Sequence, residues 1–215
     1  MRAKVAIATV SGKAYFLLVN ALKERNIAFS SIVPGQPIPA EAKVTITTEK
    51  EKSLVNHDRI VILNSEKTPR RVINEVVRIL QDKEVYEKVV VGVDPGKVLG
   101  LAVIVDGKVS ETCNCFSLQE AEDKIKSIVK DFEDSAGVVS VKIGNGVPTY
   151  KTLLEKLDAA LPAAVKLEVV SEAGTDRHID ANMHRRGLRD IISAIRIAGR
   201  TGHNYTRRKT CEADS

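Results

Sequence analysis

Residues 89–108, VVVGVDPGKVLGLAVIVDGK, hold two apolar runs separated by a single acid and a turn. Val89–Val93 reads as a continuous buried strand, Asp94 closes it, Pro95-Gly96 turns the chain sharply, and LGLAVIV (99–105) returns as a second strand. Asp106-Gly107 is a strong two-residue hairpin signal, so KVSETCNCFS (108–117) follows as a third strand, and the three form an antiparallel meander. A carboxylate at the end of a central strand, exposed by the turn that follows it, has the rigid mount a metal ligand requires.

Working outward, the pattern predicts a helix over about 118–134, a strand at VVSVKIG (138–144), another at KLEVVSE (166–172), and a last helix over about 188–199. Three antiparallel strands followed by two strands alternating with helices make a mixed five-stranded sheet with flanking helices. Upstream, KVAIATV (4–10) reads as a strand, Ser11 as a helix cap, AYFLLVNALKERN (14–26) as a helix and IAFSSIV (27–33) as a strand. The proline-rich PGQPIP (34–39) is a loop; VTITT (44–48) and RIVILN (59–64) are short β-branched strands. Thr68-Pro69 then caps and opens RRVINEVVRILQ (70–81). The chain therefore divides into a small Rossmann-like α/β domain over residues 1–87, a second α/β domain over 88–205, and a polar tail over 206–215.

Composition sets the class. With 215 residues, 43% hydrophobic and 28% charged, the chain is long enough for two well-buried cores and is neither fibrous nor disordered. No apolar run approaches the roughly 20 residues a bilayer crossing needs, so no membrane association and a cytoplasmic location are expected. Three cysteines, Cys113, Cys115 and Cys211, are an odd number without framework spacing, and Cys113 and Cys115 share one strand face rather than a CxxC metal site. Ser11-Gly12-Lys13 lies between a strand and a helix but lacks the GxxxxGK[ST] phosphate loop, and reads as a structural turn. The first domain carries no other readable chemistry.

Acids mark the second domain. Asp94 ends the first strand of its sheet, Glu172 ends the fifth, and Asp190 lies in the first turn of the last helix. Gathering three carboxylates costs free energy through like-charge repulsion, which a cation relieves. An all-oxygen set suits magnesium or manganese rather than zinc. Such a site, open on one side, can activate water and stabilise the charge that develops when a phosphodiester is hydrolysed.

GVDPGKVLGLAVIVDGK resembles the first hairpin of RuvC-type Holliday-junction resolvases and their YqgF relatives, members of the ribonuclease H-like superfamily. IGNG (143–146), SEAG (171–174) and RRGLRDIISAIRIAGR (185–200) are most similar to the YqgF-like domain of Tex proteins, so the resemblance covers about residues 88–200. It implies a ribonuclease H-like sheet, and a metal-dependent nuclease acting on structured or branched DNA or RNA. Asp94, Glu172 and Asp190 would be its catalytic and metal-binding residues, with Mg or Mn as cofactor. Two positions depart from the resolvase pattern: Lys142–Asn145 stand where a fourth-strand glutamate is found, and Gly187 stands where a second helix acid is found. Tex domains bind nucleic acid without a known cutting activity, so a non-catalytic binding module is the alternative. Resolvase relatives act as dimers, which makes a homodimer a further expectation.

The last helix carries its own signal. At about 100° per residue, Arg185, Arg189, Arg196 and Arg200 form one stripe beside Asp190, and Ile191, Ala194, Ile195 and Ala198 form an apolar face. From His184 to Lys209 there are eight Arg or Lys against one acid, and arginine's planar fork suits phosphate. Lys97, Asn145, Arg185, Arg186 and Arg189 are the candidate nucleic-acid contacts, with His178 a weaker candidate base. The chain has no Trp, four Phe and four Tyr, which argues against base stacking as the main binding mode. An actin-like phosphotransferase also opens on a strand-end aspartate, but it needs two such domains around a nucleotide, and this chain has one.

Overall fold

The computed structural model describes residues 3–172 and 186–208. The chain forms two compact units, Met1–Val85 and Tyr86–Ser215, so the second unit begins two residues before the boundary expected from sequence. The first strand of its sheet extends back to Tyr86, which is buried edge-on against Phe132.

The first unit is a four-stranded parallel sheet in the order β2-β1-β3-β4, built from β1 (Val5–Ala8), β2 (Phe29–Ile32), β3 (Val44–Thr48) and β4 (Ile60–Leu63). Ser11 caps α1 (Gly12–Glu24) by accepting from the Ala14 N–H, and Thr68 caps α2 (Pro69–Leu80) by accepting from the Arg71 N–H. Leu18 and Leu22 of α1 and Val72, Ile73 and Val76 of α2 pack with Val5, Ile7, Val44, Ile46 and Val61 into one core. Each such side chain stabilises by about 1.5–3 kcal/mol when fully buried. The chain leaves β1 toward one edge and β3 toward the other, which opens a crevice at their carboxyl ends.

The second unit is a mixed sheet of β5 (Tyr86–Asp94), β6 (Leu99–Val105), β7 (Lys108–Cys115), β8 (Ala136–Gly144), β9 (Lys166–Val170) and β10 (His203–Asn204). Their order is β10-β9-β8-β5-β6-β7, with β5 antiparallel to β6 and parallel to β8. The five expected strands are present, with β5, β6 and β7 in the expected antiparallel meander, and the two-residue β10 adds a sixth at the edge. Asp106 and Gly107 both take positive φ, the turn that the hairpin signal calls for.

Strand alternation sorts the faces. Val89, Val91, Val93, Leu99, Leu101, Val141 and Ile143 point into a core with α3 (Leu118–Phe132) and α4 (Thr149–Ala160). Gly92, Gly100 and Gly144 point to the other face, where α5 (Arg186–Gly199) lies. A Cβ on Gly92 would overlap the Ala194 carbonyl, and one on Gly100 would overlap the Asp190 carbonyl. These two glycines let the helix backbone rest directly on the sheet. The buried side of α5 is Ala194, Ile197 and Ala198; Ile195, read as part of the apolar face, is only half-buried, and Ile197 takes that place.

The segment read as a polar tail is anchored at its start. Arg207 donates to the Asp158 carboxylate at 2.9 Å and to carbonyls at the end of α4, and the Arg208 N–H donates to Asp158 at 3.1 Å. Residues 209–215 lie outside the described residues. No helix among the described residues is long and apolar enough to cross a membrane.

Candidate active site

Alternation along β5 puts Asp94 on the α5 face, two residues beyond Gly92. The Thr149 hydroxyl donates to the Pro95 carbonyl at 3.2 Å, which ties the turn after Asp94 to the start of α4. Asp94 is half-buried, and its carboxyl is pushed up to about 6. Burial is the largest cause, the negative charge of Glu172 the next, and Asp190 adds to it; hydrogen bonds from the Ser193 hydroxyl and the Gly96 N–H hold the carboxylate partly in check. Burial also raises the Asp190 carboxyl.

Glu172 is positioned by the loop after β8. The Gly146 N–H donates to its carboxylate at 3.2 Å, and its own N–H donates to the Asn145 side chain at 3.2 Å. A Cβ on Gly144 or Gly146 would collide with that carboxylate. The two glycines of IGNG thus make a cradle that a side chain would fill, and Asn145 clamps the backbone of Glu172. The Arg200 guanidinium donates to the Ser171 carbonyl at 3.2 Å, which braces the same segment from the end of α5.

The structure therefore brings Asp94, Glu172 and Asp190 into one electrostatic neighbourhood from β5, the loop after β9 and α5; β9 stops at Val170, so Glu172 lies two residues past the strand it was expected to end. Among the described residues, no group of three His, Cys, Asp or Glu has a geometry that could hold a metal ion. The donor chemistry is nonetheless that of a hard divalent cation, oxygen only, and a carboxyl raised by its acidic neighbours is one that a cation would relieve.

Of the expected nucleic-acid contacts, Lys97 is exposed on the turn after β5 and Arg189 is exposed on α5. Arg186 is the first residue of α5, while Arg185 and His178 lie outside the described residues. Arg196 is also exposed, whereas Arg200 and Arg207 are committed to backbone carbonyls and Asp158. Lys142, where resolvase-type proteins have an acid nearby, is buried; it reaches the Arg200 carbonyl at the end of α5 and Glu168 at 3.4 Å.

Two residues near the site escape sequence reasoning. Ser193 lies on α5 three residues after Asp190 and donates to Asp94. Asn114 of β7 pairs with Gly100, and a Cβ on Gly187 would come within 2.5 Å of its amide. Its buried Oδ1 has no hydrogen-bond partner among the described residues. Only the alternation of polar Asn114 between Cys113 and Cys115 hinted that it faces α5. Burial pushes the Cys115 thiol up to about 12, so that side chain belongs to the core.

Comparison with known proteins bears on both units. A family model described as a response regulator receiver-like domain matches residues 4–80, inside the first unit. No curated protein matches the chain. Two solved structures of Marinitoga piezophila Argonaute are similar to it over 79% of its length. The complex with 5′ OH guide RNA has 11% identity, 38% of that chain covered and a TM-score of 0.28. The complex with 5′ OH guide RNA and target DNA has 12% identity, 39% covered and a TM-score of 0.30. The chain thus spans about two-fifths of the length of those structures.

Proposed function

We propose that the second unit is a ribonuclease H-like, metal-dependent nuclease that hydrolyses phosphodiester bonds in structured or branched nucleic acid. The single observation that carries this reading is the carboxyl of Asp94, raised to about 6 by burial first and then by the charges of Glu172 and Asp190. The order β7-β6-β5-β8-β9, with the acid at the end of the central β5, supports it.

Asp94, Glu172 and Asp190 would hold Mg or Mn, with the Glu172 and Asp190 side chains rotating toward Asp94. A bound divalent cation supplies a more acidic water and a counter-charge for the phosphodiester oxygens. The chain's residues do the rest. β5 fixes Asp94, Ser193 orients its carboxylate, and the Gly146 N–H with Asn145 fixes Glu172. Lys97, Arg189 and Arg196 bind the phosphate backbone, whose contacts set register and make affinity depend on salt. The nuclease works as a soluble cytoplasmic enzyme, and a homodimer would present two such sites to a branched substrate.

A second reading, a nucleic-acid-binding module without catalysis, is favoured by one observation: as they stand, the three acids do not close around a point. Cleavage of labelled four-way DNA and RNA junctions with Mg or Mn separates the two. The nuclease reading expects metal-dependent cutting that Asp94→Asn lowers by about 100-fold or more with binding retained. Binding without cutting by the wild type under every metal would leave only the second reading.

A further inference from the structure

The crevice at the carboxyl edge of the first sheet contains a cavity of about 720 Å³. It opens at the point where the connections from β1 and β3 diverge, the place where open parallel sheets hold ligands. Its volume is within the range of small-molecule sites.

Lys13 and Lys50 make the cationic part, beside the Ser11 hydroxyl that caps α1. Neither Lys13 nor Lys50 has an ion-pair or hydrogen-bond partner among the described residues, and both are exposed to solvent. The space beside Gly12 is open, and the Ala14 N–H in the first turn of α1 is taken by the Ser11 hydroxyl. Lys67, across the cavity, is already paired with Glu75 at 2.8 Å. The one carboxylate deep in this edge, Glu51, is consumed by the fold: it accepts from the Thr9 hydroxyl at 2.6 Å, the Val10 N–H at 2.8 Å and the Thr48 hydroxyl. An anion therefore meets Lys13 and Lys50, while the charge of Glu51 is held by three donors of its own.

The rest of the lining differs. Leu17, Leu63 and Pro69 supply apolar surface, and Glu49 and Glu66 stand at the rim as acceptors. Asn64 uses its oxygen to accept from the Glu66 and Lys67 N–H groups, which leaves its amide nitrogen without a partner among the described residues. A phosphate at Lys13 and Lys50, hydroxyls donating to a rim carboxylate, and a flat ring against Leu17 and Leu63 describe one class of ligand.

We propose that this cavity binds a nucleoside monophosphate, with Ser11-Gly12-Lys13 and Lys50 on the phosphate. No bond is made or broken, and the site is independent of the carboxylates of the second unit. The test is amide NMR of the full chain in EDTA, which removes divalent cations from the other unit, titrated in turn with AMP, GMP, CMP and UMP. At least one nucleotide is expected to shift the amides of Gly12, Lys13 and Ser65 saturably, with affinity about tenfold above inorganic phosphate and above its own nucleoside. Lys13→Ala and Lys50→Ala, both at exposed positions, should each weaken it several-fold while the remaining amide spectrum is unchanged. The proposal is overturned if none of the four shifts these amides up to about 5 mM. It is equally overturned if inorganic phosphate binds as well as the nucleotides, or if both variants bind like the wild type.

Discussion

Glu51 of the first unit and Asp94 of the second both lie near the carboxyl end of a buried strand, yet the two environments push them in opposite directions. Burial raises both. At Glu51 the hydrogen bonds from Thr48, Thr9 and the Val10 N–H outweigh it, and the carboxyl ends below its ordinary value. At Asp94 two donors, Ser193 and the Gly96 N–H, face the charges of Glu172 and Asp190, and the carboxyl ends at about 6. The lesson is about satisfaction. A carboxylate whose lone pairs are filled by loop donors is a brace, and one buried among other acids keeps its proton to a higher pH.

Breaking the second environment should have the largest effect. Gly100→Ala places a methyl on the backbone of α5 at Asp190, and is expected to destabilise the second unit by about 3 kcal/mol, read by denaturant unfolding, because neither backbone can yield. Asp190 would move with the helix, so the Asp94 carboxyl should fall toward its ordinary value in the same variant.

Neutralising each acid sharpens the contrast because the signs differ. The Asp94 carboxyl holds its proton more tightly folded than unfolded, so between the ordinary value near 3.8 and about 6 the folded state binds more protons, and stability falls as pH rises through that window. Asp94→Asn should therefore raise stability at pH 8 by about 1–3 kcal/mol, discounted for its partial exposure, and change little at pH 4. Glu51→Gln should do the reverse. Its lowered carboxyl contributes stability above the ordinary 4.5 that is lost as pH falls through the folded value, and the amide would turn donors toward Thr9 and Val10. A loss of about 1–3 kcal/mol at pH 8, shrinking in acid, is the expected result. Thermal melts of both variants across pH check the pair. The smallest effect belongs to Ser193→Ala, which removes one donor and should raise the Asp94 carboxyl further while leaving the fold intact.

Much of this was legible in the residues. The Asp106-Gly107 turn, the meander of β5, β6 and β7 and the later alternation of strands and helices follow from period and turn chemistry, which act locally. Asp94 was legible because an acid interrupts an apolar run. Other features needed three dimensions. β10 has two residues and no side-chain pattern; the backbone pairing of His203 with Val169 and the Arg207 anchor define it. Asn145 looked like a hand for a ligand, and only the fold shows it gripping the Glu172 backbone. Gly92 and Gly100 alternate with buried valines and leucines, a signal that a helix backbone lies against that face, but the identity of the helix is a tertiary fact.

The most direct measurement is the carboxyl NMR titration of Asp94, without metal and with magnesium, which is diamagnetic, in excess. Without metal it should titrate at about 6 and fall when Glu172→Gln removes the larger of the two neighbouring charge effects; with magnesium its midpoint should drop well below that. An Asp94 that titrates near 4 without metal, or that ignores divalent cations, would contradict a shared cation site at the end of β5.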